Sequence, residues 1–197
     1  QVSAGKPHNS LRCVAGGCFL MAGRFGVIGC GYVGAAAACH FGQMGLEVTG
    51  TTTSPSRLQE LCGIVDHPRI YRAGDSRSDA SFLDSLDGLL IAIAPTTMSM
   101  EEDQYRSVYG TGVSALVESI KARESDRPLH VSYLSSAGVY GNQFGEICDE
   151  SSPTDRSNSA NALLADAENA VLALNDFGTS ACVLRLGGIY GPNKDIA

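Results

Sequence analysis

Val27-Ile28-Gly29-Cys30-Gly31-Tyr32-Val33-Gly34 sets three glycines between an apolar run at residues 25–28 and an alanine-rich run at residues 34–44. The flanks decide how the glycines are read. The first run has the length and apolarity of a buried strand, and the second has the composition of a helix, so the chain turns from strand into helix within the glycines. In such a turn Gly29 permits the tight bend, Gly31 lets the backbone approach a pyrophosphate with no Cβ in the way, and Gly34 lets helix and strand pack closely. The new helix then offers its free N–H groups and its positive dipole end to an anion. Glycines also cluster in ordinary turns, but the strand before and the helix after favour a cradle for a dinucleotide.

The rest of the composition fits that reading. A chain of 197 residues with 44% hydrophobic and 18% charged content is large and apolar enough to build the core of one α/β domain. Its formal charge of −7, with no Lys/Arg cluster interleaved with aromatics, argues against nucleic acid as a partner. Seven cysteines, an odd number with no C-x-x-C, suggest reduced thiols and not a disulfide framework. His8, His40, His67 and His130 have no partners at ligand spacing, so no metal site is expected. Residues 25–42 are apolar enough to resemble a transmembrane span, but their glycines, His40 and the strand-to-helix logic oppose it.

Residues 1–23 are set apart as a leader, and residues 24–197 as the binding domain. The leader carries Lys6 and Arg12 with no acidic residue, and the first acid of the chain is Glu47. Such a segment is similar to part of an organellar targeting sequence, plastid or mitochondrial, with Met21 near the start of the fold. The alternative is a disordered extension on a cytoplasmic protein.

Beyond Gly34, strand-length apolar runs alternate with longer helical patterns, as in a doubly wound sheet. Strands are expected at residues 47–51, 70–73, 88–94, 129–134 and 181–186, and helices from 56–61, 105–122 and 160–174. The fold class is α/β, a Rossmann-type parallel sheet of order 3-2-1-4-5-6, with ligand across the carboxyl ends where the order reverses.

Five blocks then occur in sequence: Gly29 to Gly34, Ile93-Ala94-Pro95, Tyr133-Leu-Ser-Ser-Ala-Gly-Val-Tyr-Gly141, Asp149-Glu150 and Leu184-Arg-Leu-Gly-Gly-Ile-Tyr-Gly-Pro192. Together they resemble the extended short-chain dehydrogenase/reductases, the NAD-dependent epimerase/dehydratase proteins, and above all their atypical branch. The resemblance covers residues 24–193. It implies that Gly29, Gly31 and Gly34, with the backbone at Tyr32 and Val33, hold a pyrophosphate. It further implies that Asp75 meets the adenine edge, that Ala92, Ala94 and Pro95 pass beside the riboses, and that Ser136 hydrogen-bonds a substrate oxygen. Asp75 as a helix N-cap and Ser136 as a turn residue are the plainer alternatives.

The end of the second strand bears on which cofactor fits. Sheets that prefer NAD place Asp or Glu there, about 20 residues after the first glycines, to accept the ribose 2′-OH. Here stand Thr51, Thr52, Thr53 and Ser54. Hydroxyls and Arg57 suit a 2′-phosphate, so NADP is expected ahead of NAD, although the arginine that related atypical proteins often carry at position 53 is a threonine.

The chemistry is where the resemblance fails. The family's proton donor is a Tyr followed four residues later by a Lys on one helical face, where the ammonium eases ionisation of the phenol. With Ala167-Glu168 as landmark, the register puts Ala160 at the Tyr and Leu164 at the Lys. The sequence Tyr-x-x-x-Lys occurs only at Tyr190 and Lys194, in a turn with Pro192 between them. Tyr140 is a substitute acid by position, but no cation is expected beside it, and packing over the cofactor is its plainer role. In extended members the segment after Tyr-Gly-Pro leads into a substrate-covering domain, whereas this sequence ends at Ala197. A longer chain or protein partners are expected to supply that wall, docking on apolar surface. Two classes remain open: an NADP-dependent reductase or nucleotide-sugar epimerase/dehydratase using Ser136 and an unusual donor, or a dinucleotide-binding subunit of a larger assembly.

Overall fold

The computed structural model describes residues 23–95 and 102–195. Apart from Gly23, the leader assigned to residues 1–23 lies outside the described residues. The chain forms β1 (Arg24–Ile28), α1 (Tyr32–Gln43), β2 (Glu47–Thr52) and a single turn Pro55–Arg57 that continues into α2 (Leu58–Leu61). β3 (His67–Ile70), β4 (Gly88–Ile91), α3 (Glu102–Tyr105), α4 (Val113–Lys121), β5 (His130–Ser136), α5 (Ser159–Leu172) and β6 (Ser180–Leu186) follow. The six strands make one sheet in the order 3-2-1-4-5-6, and every pairing is parallel. Sequence and structure agree on this architecture.

Strand periodicity explains the two cores. Alternate residues point to opposite faces, so Val27 and Val48 pack with Ala38 of α1, while Ile28, Ile91, Val131 and Tyr133 pack with Leu116 of α4 and Val171 of α5. α4 turns Val113, Leu116, Val117 and Ile120 inward, the i, i+3, i+4, i+7 spacing of a half-buried helix. Among the described residues no helix is long and apolar enough to cross a membrane.

Three differences from the sequence reading exceed two residues. β3 spans His67–Ile70 instead of residues 70–73, because it is the sheet's edge and tolerates polar residues and Pro68, whose missing N–H costs nothing there. The apolar Tyr71 beyond it leaves the strand and packs edge-on against Phe82, with centroids 5.4 Å apart. β4 ends at Ile91, three residues early, and the N–H of Ala92 makes a last bond to the Ile28 carbonyl at 2.8 Å. The helix expected over 105–122 has a wider π-type run, Arg106–Gly112, before α4; Gly110 and Gly112 fall within it.

Candidate dinucleotide site

The cradle is built almost entirely of backbone. Gly29 takes φ +90°, and a Cβ there would stand 2.8 Å from the Ala92 carbonyl oxygen, so the bend excludes any side chain. A Cβ on Gly34 would stand only 2.1 Å from the Gly29 oxygen, which fixes α1 tight against the bend. Gly31 differs from both: nothing lies within 4 Å of the position its Cβ would take. α1 begins there with no side-chain cap and no acidic residue in its first turn, leaving its leading N–H groups and dipole end to an outside anion. Between the glycines the Cys30 side chain turns inward beneath Gly50, and burial pushes its thiol up.

β2 braces this loop. Thr51 is buried; its hydroxyl accepts the Gly29 N–H at 3.1 Å and its carbonyl accepts the Cys30 N–H at 2.8 Å. The Thr52 hydroxyl, also buried, accepts the Ser54 N–H at 3.1 Å. Of the residues read from sequence as phosphate-facing hydroxyls, these two are therefore engaged with backbone. Thr53 is exposed, and Ser54 and Ser56 share a hydroxyl contact of 2.8 Å. Arg57 Nη2 donates to the Cys30 carbonyl at 3.0 Å, bringing a guanidinium to the rim of the glycine loop, and its Nε stands 3.5 Å from Glu60.

Asp75 lies in the turn after β3. Its carboxylate accepts the Arg77 N–H and Nε at 3.0 Å each and Nη2 at 2.9 Å. These bonds from Arg77 pull its pKa down to about 2. The helix that Asp75 was to cap is absent; a turn stands there instead. Ala92 lies against Gly29 and Gly34, with Ala94 and Pro95 following it outward.

On the other side of the crevice Ser136 ends β5, exposed, and its hydroxyl accepts the Gly138 N–H at 3.0 Å to cap the turn Ala137–Tyr140. Tyr140 corrects an expectation: a cation does stand beside it. Arg185 Nη1 donates to the phenol oxygen at 2.8 Å and its guanidinium carbon lies 4.8 Å from the ring centre, while the phenol donates to the Asp149 carbonyl at 2.8 Å. Arg185 is held in turn by Glu168, through Nη2 to Oε2 at 2.8 Å and Nε to both oxygens at 3.1 and 3.2 Å. Ser135 donates to the same carboxylate at 2.6 Å. The Glu168 carboxylate raises the Arg185 pKa. Sequence reasoning used Glu168 only as a landmark and missed this network. The signal was present, since Glu168 shares the buried face of α5 with Leu164, Ala165 and Val171, and a carboxylate there requires a cation.

α5 carries Ala160 in its first turn and the buried Leu164 one turn later, so the two positions expected to correspond to Tyr and Lys share a face. Tyr190 and Lys194 sit on no helix; Gly191 and Lys194 pair as a small hairpin. A cavity of about 320 Å³ opens between Tyr32, Val33 and Ala36 of α1 and the segment Leu186 to Tyr190 after β6.

No family model matches the chain. Among solved structures it resembles the UDP-glucuronic acid 4-epimerase of Bacillus cereus in complex with NAD, with a TM-score of 0.67, 17% identity, and coverage of 86% of this chain and 58% of that one. A short-chain dehydrogenase/reductase superfamily protein from Agrobacterium tumefaciens with bound NAD gives a TM-score of 0.65 at 19% identity, over 82% of this chain and 48% of that one. The chain has the fold of the short-chain dehydrogenase/reductase epimerases. By sequence it is similar to protein YeeZ of Escherichia coli K12, 28% identical over 173 residues. That match covers 85% of this chain and 59% of YeeZ, so the chain spans a little over half the length of its curated relative. The epimerase-type fold places Gly29, Gly31, Gly34, Ala92 and Ser136 at the carboxyl ends of β1, β4 and β5, where the strand order reverses.

Proposed function

We propose that the chain is a nicotinamide-dinucleotide-binding protein of the atypical short-chain dehydrogenase/reductase type, retaining the cofactor cradle without the Tyr-x-x-x-Lys pair. It acts as a cofactor-binding subunit of a larger assembly, with little or no turnover. The observation that carries this reading is Gly31, a glycine in extended backbone with φ −78° and open space where its Cβ would be, at the mouth of an uncapped helix. Ala160 and Leu164 support the loss of proton transfer, because neither side chain ionises. Exposed Tyr190, Leu184 and Ile189 beside the cleft support a protein partner, and a leader poor in acids supports an organelle as its place. Arg57 with Thr53, Ser54 and Ser56 at the end of β2, and no carboxylate in place of Thr52 or Thr53, favour NADP over NAD.

Two glycine variants test the cradle. Gly31→Val meets open space and folds with at most a modest fall in melting temperature, yet its branched side chain fills the anion position, so NADPH affinity falls at least about tenfold. Gly34→Ala drives a methyl into the Gly29 carbonyl and lowers stability itself. Unchanged NADPH binding by a folded Gly31→Val protein refutes the cradle.

One observation favours a second reading, an NADP-dependent reductase or epimerase that uses Ser136 and Tyr140. Arg185 places a guanidinium 2.8 Å from the Tyr140 phenol oxygen, a cation beside the one phenol that could serve as donor in this reading. Oxidation of NADPH with any of a panel of aldehydes, ketones or nucleotide sugars, lost in Tyr140→Phe, would select this reading over the first.

A further inference from the structure

The hairpin that follows β6 folds back onto the first residue of α1. The Tyr32 hydroxyl donates to the Pro192 carbonyl at 3.0 Å, and Lys194 Nζ lies 5.3 Å from the centre of the same ring. Two backbone bonds between Gly191 and Lys194, each 2.9 Å, close the hairpin, and Asn193 turns it at φ +62°. Gly191 takes φ +149°, a conformation that favours glycine, and a Cβ on it would stand 2.7 Å from the Tyr32 oxygen. These independent contacts fix where the ammonium goes. Tyr32 is the residue after Gly31, and it lines the cavity whose opposite wall, Leu186 to Tyr190, is the root of the hairpin.

The cation there has no counter-ion: among the described residues Lys194 forms no ion pair. Resting on an aromatic face satisfies it in part. An ammonium on a flexible four-carbon stem, resting on the side chain of the first residue of an uncapped helix with no carboxylate to bind, is matched to a phosphate oxygen.

We propose that Lys194 is a dinucleotide-binding residue: the Gly191–Lys194 hairpin straps the open side of the cleft, and the ammonium pairs with the pyrophosphate seated at Gly31. The inference rests on the dinucleotide reading of the cradle. The strap supplies a positive charge from the end of β6, whereas position 164 on α5, in register with the family's lysine, holds a buried leucine.

The test uses the full chain and two measurements. Calorimetric titration with NADPH and with ADP-ribose, which shares the pyrophosphate but has no nicotinamide, should show both ligands bound about tenfold more weakly by Lys194→Met, with Lys194→Arg restoring most of the affinity. Hydrogen exchange of the Gly191 and Lys194 amides should slow when NADPH is added to the wild-type protein. Wild-type binding that Lys194→Met leaves within twofold, or amide exchange untouched by NADPH, overturns the strap while leaving the cradle standing. If the wild-type chain binds neither ligand, the cradle reading and the strap fall together.

Discussion

Replacing Arg185 with methionine strands the Glu168 carboxylate inside the protein. Glu168 is 3% exposed, and Arg185 supplies three of the hydrogen-bond contacts on its oxygens, leaving only the Ser135 hydroxyl at 2.6 Å. Breaking a buried pair by removing one partner costs about 3–5 kcal/mol. The Arg185 side chain is itself 21% exposed, so water enters part of the vacated space and the lower end of that range applies, about 3 kcal/mol. A domain of this size holds roughly 5–15 kcal/mol in total. A loss of about 3 kcal/mol, at about 2–4 °C per kcal/mol, lowers the melting temperature by about 6–12 °C. Urea unfolding followed by circular dichroism measures it. The decisive comparison is a cycle with Glu168→Leu. The double variant removes charge and counter-charge together and should recover much of what Arg185→Met loses, although the Ser135 hydroxyl is left unpaired. If the two single changes add to within about 0.5 kcal/mol, no coupling exists and the reasoning fails.

Three further outcomes are expected. Tyr133 is fully buried, its hydroxyl is the one buried side-chain polar atom without a partner among the described residues, and burial pushes its phenol pKa up. Tyr133→Phe should therefore stabilise the fold by about 1 kcal/mol or more, and a fall in melting temperature would mean that the hydroxyl is satisfied after all. Arg77→Ala should return the Asp75 carboxyl, measured by NMR titration, from about 2 toward the ordinary carboxylate range. Because the folded value is the lower one, the pairing stabilises above the unfolded carboxyl's pKa and is lost as pH falls toward 2; stability curves that fail to converge in acid refute it. Arg57→Ala should weaken NADPH by about tenfold with little effect on NADH, and equal losses for both would assign Arg57 to the loop alone.

The sheet was legible from sequence because parallel strands buried on both faces read as apolar runs, and their alternation with helices fixes the order. β3 was misplaced for the same reason: at the edge, His67 and Arg69 are under no pressure to be apolar, so pattern pointed to Tyr71 and its neighbours. The glycine loop was legible because the bend at Gly29 and the close approach at Gly34 need residues without a Cβ. The network around Tyr140 was not, since Ser135, Glu168 and Arg185 come from three elements and meet only when β5, α5 and β6 assemble. The same holds for Lys194, which sequence reading examined only as the partner of Tyr190 and which the fold delivers to Tyr32.

The two halves of the crevice answer to different constraints, and that separates binding from chemistry. Gly29 and Gly34 are required by folding alone, because Ala92 and the Gly29 carbonyl occupy the space a side chain would need. Their presence therefore says nothing about a ligand. The positions expected to hold Tyr and Lys lie at the other extreme. At position 160 an alanine completes the first turn of α5, and at 164 a leucine is buried, so the fold needs no ionisable group at either position. Gly31 answers to neither constraint: its backbone is extended and nothing lies within 4 Å of the position its Cβ would take. The open space at Gly31 leaves room for an anion to approach the backbone, which is what the proposed dinucleotide site requires.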